Sequence, residues 1–167
     1  MLETSPTTLS DEEIGELKVR SFTLPLNNIT LLVPSTVIAE VLDFRDVEPA
    51  GHMPEWLLGM LAWRGRNVPL FCFEKLLGLE QAPQREGSRY VVCNTLNGSN
   101  RIPFIAIQIS GMPHLHMITN DILTLNSEAV DDSPVIQDQL RLNGENVIVP
   151  NMDVMEKMLE QLGISAD

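Results

Sequence analysis

The chain has 167 residues, 11 of them Lys or Arg and 23 Asp or Glu, which gives a net charge of −12 at pH 7. This length is enough for one domain with its own core. The negative charge disfavours nucleic acid and anionic membrane surfaces as partners, because both attract clustered positive charge. No stretch approaches the roughly 20 apolar residues that span a bilayer, so we expect no direct membrane insertion.

Residues 1–17 are rich in Ser, Thr and Glu and have no hydrophobic periodicity. We therefore predict a flexible acidic leader, with a helical turn around 11–17. The leader has neither the basic nor the apolar region of a secretion signal, which predicts a cytoplasmic protein. Cys72 and Cys93 lie within apolar runs and are expected to be buried hydrophobic residues, not a disulfide.

The first half of the domain, about residues 18–80, is dominated by short β-type segments. In chain order they are "KVRSFTL", "ITLLV", "VIAEVLDF", "GMLAW" and "NVPLFCF". Alternating or continuous apolar runs between turn residues are typical of strands. The segment "FEKLLGL" then predicts a helical turn that ends at Gly78, where glycine favours a helix stop.

The second half, about residues 88–150, repeats this outline after a polar connection. Asn97-Gly98 and Asn143-Gly144 separate β-type runs, and Asn-Gly is a strong hairpin signal. A helix is predicted over 153–162, with Asp153 and Glu156 as a capping box. The fold class is therefore mainly β, with two small packed barrels or sheets, short helices and a C-terminal helix that packs across them.

No catalytic, metal or cofactor site is predicted. His114 and His116 could lie on one face of a strand, but no third ligand follows at a recognisable spacing, so exposed side chains are the preferred interpretation. The sequence contains no nucleophile elbow and no glycine-rich phosphate loop. We therefore expect a protein without enzymatic activity.

Arg64-Gly65-Arg66 follows Trp63 in an otherwise apolar stretch. In a tight hairpin Gly65 would take the left-handed backbone conformation, and the flanking side chains would project from the surface. The arginines are then either solvated turn charges or anchors for a protein partner, because arginine and tryptophan are enriched at binding hot spots. Composition alone favours solvated turn charges.

Two motifs in the first half resemble the CheW-like coupling domain. In that family a proline is followed four, six and seven residues later by an aliphatic residue, a glutamate and another aliphatic residue. The family then has P-x-x-x-x-G, a short apolar run, R-G, and V-P three residues beyond. The matching positions are Pro34, Ile38, Glu40 and Val41 in the first motif, and Pro54, Gly59, Arg64, Gly65, Val68 and Pro69 in the second.

The second half is less similar to the family. The segment "IPFIAIQISGMPHLHMI" stands where the family has "GLLVDSV", Cys72 stands in place of the usual Asp, and Trp63 in place of Leu. The leader, the length and this divergence resemble the ChpC-type accessory couplers of type IV pilus chemosensory systems, which serve twitching motility.

The resemblance implies two intertwined, SH3-like, five-stranded β-barrels without catalytic activity or cofactors. It implies an adaptor that links the cytoplasmic tip of a chemoreceptor to a CheA-type histidine kinase, at membrane-associated receptor arrays. Glu40 and Arg64 match family positions that form an ion pair, and Arg66 has no counterpart and is expected to be a solvated charge. The alternative is a sensory module that binds a small ligand between the two barrels. The expected partner-binding residues are Ile38, Glu40, Val41, Trp63, Arg64 and Gly65.

Overall fold

A computed structural model describes residues 18–49, 51–80, 87–95, 102–128 and 132–164. The predicted leader and the Asn97-Gly98 turn lie outside these residues. The described strands are β1 (Val19–Pro25), β2 (Thr30–Pro34), β3 (Ile38–Asp43), β4 (Leu57–Trp63), β5 (Arg66–Phe71), β6 (Arg89–Asn94), β7 (Phe104–Ile109), β8 (His114–Ile118), β9 (Leu123–Leu125), β10 (Ile136–Leu142) and β11 (Glu145–Pro150).

Helical structure in the described residues is limited to three short elements. A single 3₁₀ turn spans Ser35–Val37, between β2 and β3. Helix α1 spans Phe73–Leu76 and helix α2 spans Met152–Gln161. In the part of the chain that the structure describes, no helix is long and apolar enough to cross a membrane.

The strands form two sheets, which confirms the predicted mainly β architecture. One sheet has six strands in the order β8-β1-β2-β11-β10-β9, and the other has five in the order β3-β6-β7-β5-β4. The short strand β9 is the addition that makes the first sheet larger than the predicted five strands.

The two halves of the chain exchange strands, so neither half forms a sheet by itself. The six-stranded sheet takes β1 and β2 from the first half and β8 to β11 from the second. The five-stranded sheet takes β3 to β5 from the first half and β6 and β7 from the second. The boundary predicted at residues 80–88 therefore does not separate the sheets. Parallel pairing of β5 with β7 and of β11 with β2 joins the halves across both sheets.

The repeated outline of the sequence corresponds to two equivalent hairpins in the structure. β4 and β5 are joined by Arg64-Gly65, and β10 and β11 by Asn143-Gly144. Both turns have two residues with positive φ, as a type I′ turn requires. Each hairpin also has a register shift near the start of its first strand, and each is followed by a helix.

The main hydrophobic core fills the space between the two sheets. Its fully buried members come from the six-stranded sheet (Leu24, Leu31), from the five-stranded sheet (Phe71, Ile105) and from α2 (Met155). A second, smaller cluster lies inside the five-stranded sheet, and a third lines the other face of the six-stranded sheet. Burial of these apolar side chains at about 25 cal/mol per Å² is the main force that holds the sheets together.

Helix α2 begins differently from the prediction. Its N-cap is Asn151, whose side-chain oxygen accepts a hydrogen bond from the Val154 backbone N–H at 3.2 Å. The predicted capping box of Asp153 with Glu156 is wrong. Glu156 is fully buried, and among the described residues neither of its carboxylate oxygens has a hydrogen-bond partner. Asparagine is a preferred N-cap because its short side chain reaches a free amide of the first turn.

Candidate partner-binding site

The candidate site is built on the turn between β4 and β5. Trp63 pairs with Arg66 across the hairpin, which leaves Arg64 and Gly65 as its two turn residues. Their φ angles are 48° and 73°, so Arg64 shares the left-handed conformation that was predicted for Gly65 alone. A residue with a Cβ atom adopts this conformation at a cost of about 1–2 kcal/mol.

Glu40 accepts hydrogen bonds from two residues of this hairpin. Its Oε1 atom accepts from the Arg64 guanidinium at 3.0 Å and from the Trp63 indole N–H at 2.9 Å. β3 and β4 are the two edges of the five-stranded sheet, so these bonds show that the sheet curls until its edges meet. Glu40 and Arg64, the two residues for which the family resemblance implies an ion pair, are therefore in direct contact.

The ion pair lies at the protein surface. The Arg64 side chain is 69% exposed and the Glu40 side chain 37%. The Trp63 indole N–H is the main cause that lowers the pKa of Glu40 from its ordinary value of 4.5, and Arg64 adds to the effect. Exposed ion pairs contribute little to folding, so stability alone does not account for an arginine at this strained position.

Trp63 belongs to the interior of the five-stranded sheet. Only 6% of it is exposed, and it packs in the same cluster as Leu61 and Tyr90. Its burial is that of a core residue. Its ring also meets Phe104 edge-on, with centroids 4.8 Å apart.

The two arginines lie against these two aromatic rings. The Arg64 guanidinium is 5.0 Å from the Trp63 centroid, and the Arg66 guanidinium is 5.4 Å from the Phe104 centroid. Contacts of this kind stabilise a planar cation over a ring face. Arg66 is therefore not only a solvated charge as expected. Sequence reasoning missed Phe104, because it lies on β7, far along the chain from the hairpin. We call Glu40, Trp63 and Arg64 the Arg64 cluster, which Arg66 and Phe104 adjoin.

The remaining residues of the predicted site and of the family motif have other surroundings. Ile38 and Val41 are half-buried on β3 and pack against the main core. Gly65 is exposed, with open space where a Cβ atom would lie. Gly59 has a structural role, because its φ is 152° and a Cβ atom there would lie 2.1 Å from the Glu48 carbonyl oxygen.

The cysteines and histidines form no comparable site in the described residues. Cys72 and Cys93 are free and buried, which confirms their predicted core position. Burial raises the pKa of Cys72 to about 11 and that of Cys93 to about 12, so both thiols are protonated at neutral pH. His116 shares a hydrogen bond of 3.0 Å with the Thr23 hydroxyl, and His114 is exposed. Among the described side chains, no three His, Cys, Asp or Glu groups converge as metal ligands.

Fold and site together define a β domain of two exchanged repeats with an arginine presented at its surface. A family model described as "CheW-like domain" matches residues 20–159, and the chain belongs to this family. Among solved structures, the scaffolding protein TtCheW from Thermoanaerobacter tengcongensis is similar, with a TM-score of 0.68 and 12% sequence identity. The match covers 81% of this chain and 86% of that one, and at this identity it supports the fold alone. No curated protein sequence gives a significant match.

Proposed function

We propose that this protein is a non-catalytic adaptor that couples chemoreceptors to a CheA-type histidine kinase. The family assignment supports a coupling role in chemotaxis signalling, and the similar solved structure is itself described as a scaffolding protein. The observation that carries the proposal is the Arg64 cluster. Motif residues from β3 and from the β4–β5 turn converge there on one exposed guanidinium.

Arg64 has the properties of an anchor for a protein partner. Its guanidinium is exposed but has a fixed orientation, because it donates a hydrogen bond to Glu40 and lies beside the Trp63 ring. An oriented arginine loses less side-chain freedom when it binds a carboxylate or a carbonyl of a partner. The partner surface would consist of Arg64, Gly65 and the open side of Glu40, bordered by half-buried Ile38 and Val41. Trp63 would support this surface from below.

The core between the sheets favours an adaptor over a small-ligand sensor. A sensor of the expected kind needs a cavity between the two sheets. The side chains that meet there, such as Leu31, Ile105 and Met155, are fully buried and belong to one packed cluster. The proposed place of action is the cytoplasm, where receptor tips and kinase meet, and the proposed output is flagellar or pilus-based (twitching) motility.

The test is co-purification of the tagged chain from its source cell, with quantification of the CheA-type kinase and the chemoreceptors. We expect Arg64→Asn to reduce recovery of the kinase or the receptors by about tenfold or more, as loss of a hot-spot arginine does. Asparagine suits the turn, so the fold is kept. Arg66→Asn is the matched control, because it removes the other arginine of the same hairpin, and its recovery should stay within about twofold of the unmodified chain. Equal recovery of both partners by Arg64→Asn and the unmodified chain would contradict the proposed site.

The output is tested separately in strains that lack this chain. Loss of twitching with normal swimming would assign the protein to a pilus system, as the ChpC-type resemblance implies. The opposite result would assign it to flagellar chemotaxis, and unchanged motility of both kinds would count against a coupling role.

A further inference from the structure

A pocket of about 350 Å³ opens on the six-stranded sheet, on the face opposite the main core. Leu142 and Val147 line it, and both are buried members of the smaller cluster on that face. Residues of β1, β2, β8, β10 and β11 surround the pocket, so the sheet curves around it. Its volume is within the range of small-molecule sites, which is roughly 300–1,000 Å³. We call it the His116 pocket.

The five strands around the His116 pocket pair in the same pattern as the strands of the other sheet. The order β8-β1-β2-β11-β10 corresponds to β3-β6-β7-β5-β4, with a parallel pair at the same place in each. Leu142 directly precedes the β10–β11 turn, as Trp63 precedes the β4–β5 turn. Thr30 begins β2 as Phe104 begins β7. Leu142 and Thr30 both line the pocket, which therefore lies where the other sheet has two aromatic rings.

The rings of the five-stranded sheet indicate what shape this position accepts. Trp63 and Phe104 meet edge-on with their centroids 4.8 Å apart, and only 6% of Trp63 is exposed. The side chains of Leu142 and Thr30 are smaller and do not fill the same space. A flat molecule of one or two rings therefore fits the His116 pocket and would gain dispersion contacts with its apolar side chains.

Polar side chains in the His116 pocket indicate which rings would bind there. The Thr23 hydroxyl and His116 Nε2 share a hydrogen bond of 3.0 Å. The side chains of Thr30, His114 and Glu145 also line the pocket, and none of them has a hydrogen bond or an ion pair with another described residue. A carboxylate accepts from the N–H groups of a ligand, and a hydroxyl can donate to a ring nitrogen.

The charge of the chain disfavours an anion in this pocket. Glu145 is its one carboxylate, and the whole chain has a net charge of −12. Both would repel a negatively charged ligand. An uncharged molecule with N–H donors is therefore the ligand that matches these side chains.

We propose that the His116 pocket binds a small, uncharged nitrogen heteroaromatic molecule of one or two rings. The ring would lie against the apolar side chains of the pocket, and its N–H or amino group would donate to Glu145. A ring nitrogen would accept from the Thr30 hydroxyl. This inference goes beyond the adaptor function and does not depend on it, because the Arg64 cluster lies on the other sheet.

The first test is isothermal titration calorimetry of the full chain with three probes, adenine, indole and nicotinamide. Benzoate is the control ligand, because it has an aromatic ring and a negative charge but no N–H donor. We expect saturable binding of at least one probe, about tenfold or more tighter than benzoate, since a hydrogen bond to a carboxylate contributes this much. Backbone ¹⁵N NMR should locate the largest shifts at His116, Leu142 and Glu145.

Two substitutions remove the proposed site in different ways. Leu142→Trp introduces the residue that the other sheet has before its turn, so its indole should fill the pocket and abolish binding. Glu145→Ala should weaken binding about tenfold, because the ligand loses its charged acceptor. Asp138→Ala is the matched control. It removes a carboxylate from an exposed position of β10 outside the pocket, and affinity should stay within about twofold.

Four outcomes would overturn the proposal. The first is the absence of saturable binding of all three probes to the unmodified chain. The second is benzoate binding as tight as that of the tightest probe. The third is an equal affinity of Glu145→Ala and Asp138→Ala. The fourth is that the NMR shifts lie outside the pocket. If thermal denaturation shows that Leu142→Trp does not fold, the comparison of Glu145→Ala with Asp138→Ala decides.

Discussion

The β4–β5 and β10–β11 hairpins have the same backbone and different sequences. In the second, Asn143-Gly144 occupies the turn with φ angles of 52° and 84°. Asparagine and glycine are the residues that this turn type prefers. In the first, Arg64 stands where the second has asparagine, with a φ of 48°. One hairpin follows the local rule, and the other departs from it at one residue.

The residue that departs from the turn preference is Arg64, and its side chain is also the one that the fold orients at the surface. Arg64 and Trp63 donate hydrogen bonds to Glu40, and among the described residues no side chain of the β10–β11 turn has a comparable pair of bonds. Strained residues that persist in a structure are held there by their surroundings, and they are frequent at functional sites. The comparison therefore separates a turn that serves folding from a turn that presents an arginine.

The largest difference between the hairpins should arise five residues before each turn. Gly59 occupies this position in β4 and Asp138 in β10. Gly59→Ala should lower the free energy of unfolding by about 3 kcal/mol or more, because its Cβ would meet the Glu48 carbonyl oxygen at 2.1 Å. Asp138 is exposed, so Asp138→Ala should change it by less than about 0.5 kcal/mol. Urea denaturation measures both, and similar losses would show that the glycine contact is not specific to the first hairpin.

Exchange of the turn residues should have a smaller effect, opposite in sign for the two hairpins. Arg64→Asn should raise the free energy of unfolding by up to about 1 kcal/mol, because asparagine adopts positive φ more readily than arginine. Asn143→Arg should lower it by about 1 kcal/mol for the same reason. Thermal denaturation of both variants checks this. A lower free energy of unfolding in Arg64→Asn would mean that Arg64 stabilises the fold. The two turns would then no longer differ in their roles.

The elements most accurately predicted from the sequence are those with local signals. Asn143-Gly144 marks its hairpin because both residues tolerate positive φ, and the apolar spacing of "DVMEKMLEQLG" marks α2. The exchange of strands has no local signal, because it depends on contacts such as Leu70 with Ala106 across a parallel pair. The left-handed φ of Arg64 was missed for a different reason: arginine is not a turn residue by propensity. Glu40 was matched to Arg64 through the family resemblance, since no local pattern links two residues that are 24 positions apart.

The smallest effect concerns the protonation of Glu40. The indole N–H of Trp63 is the main cause that lowers the pKa of this carboxyl below 4.5, and Arg64 adds to it. The unfolded chain therefore binds the proton more readily than the folded one. The stability that Glu40 contributes is present above pH 4.5 and is lost as the pH falls through the lower folded-state pKa. The stability difference between the unmodified chain and Glu40→Gln should thus disappear in acid.

Trp63→Phe tests the cause of this shift directly. Phenylalanine keeps an aromatic ring in the core and removes the indole donor, so the pKa of Glu40 should move up towards 4.5. A ¹³C NMR titration of the side-chain carboxyls measures it. Asp121 is the internal control in the same spectra, because a hydrogen bond from the Thr119 hydroxyl lowers its pKa and neither residue belongs to the Arg64 cluster. If the Glu40 pKa stays low while that of Asp121 is unchanged, Arg64 alone sets the charge state of its partner, and the tryptophan contributes packing only.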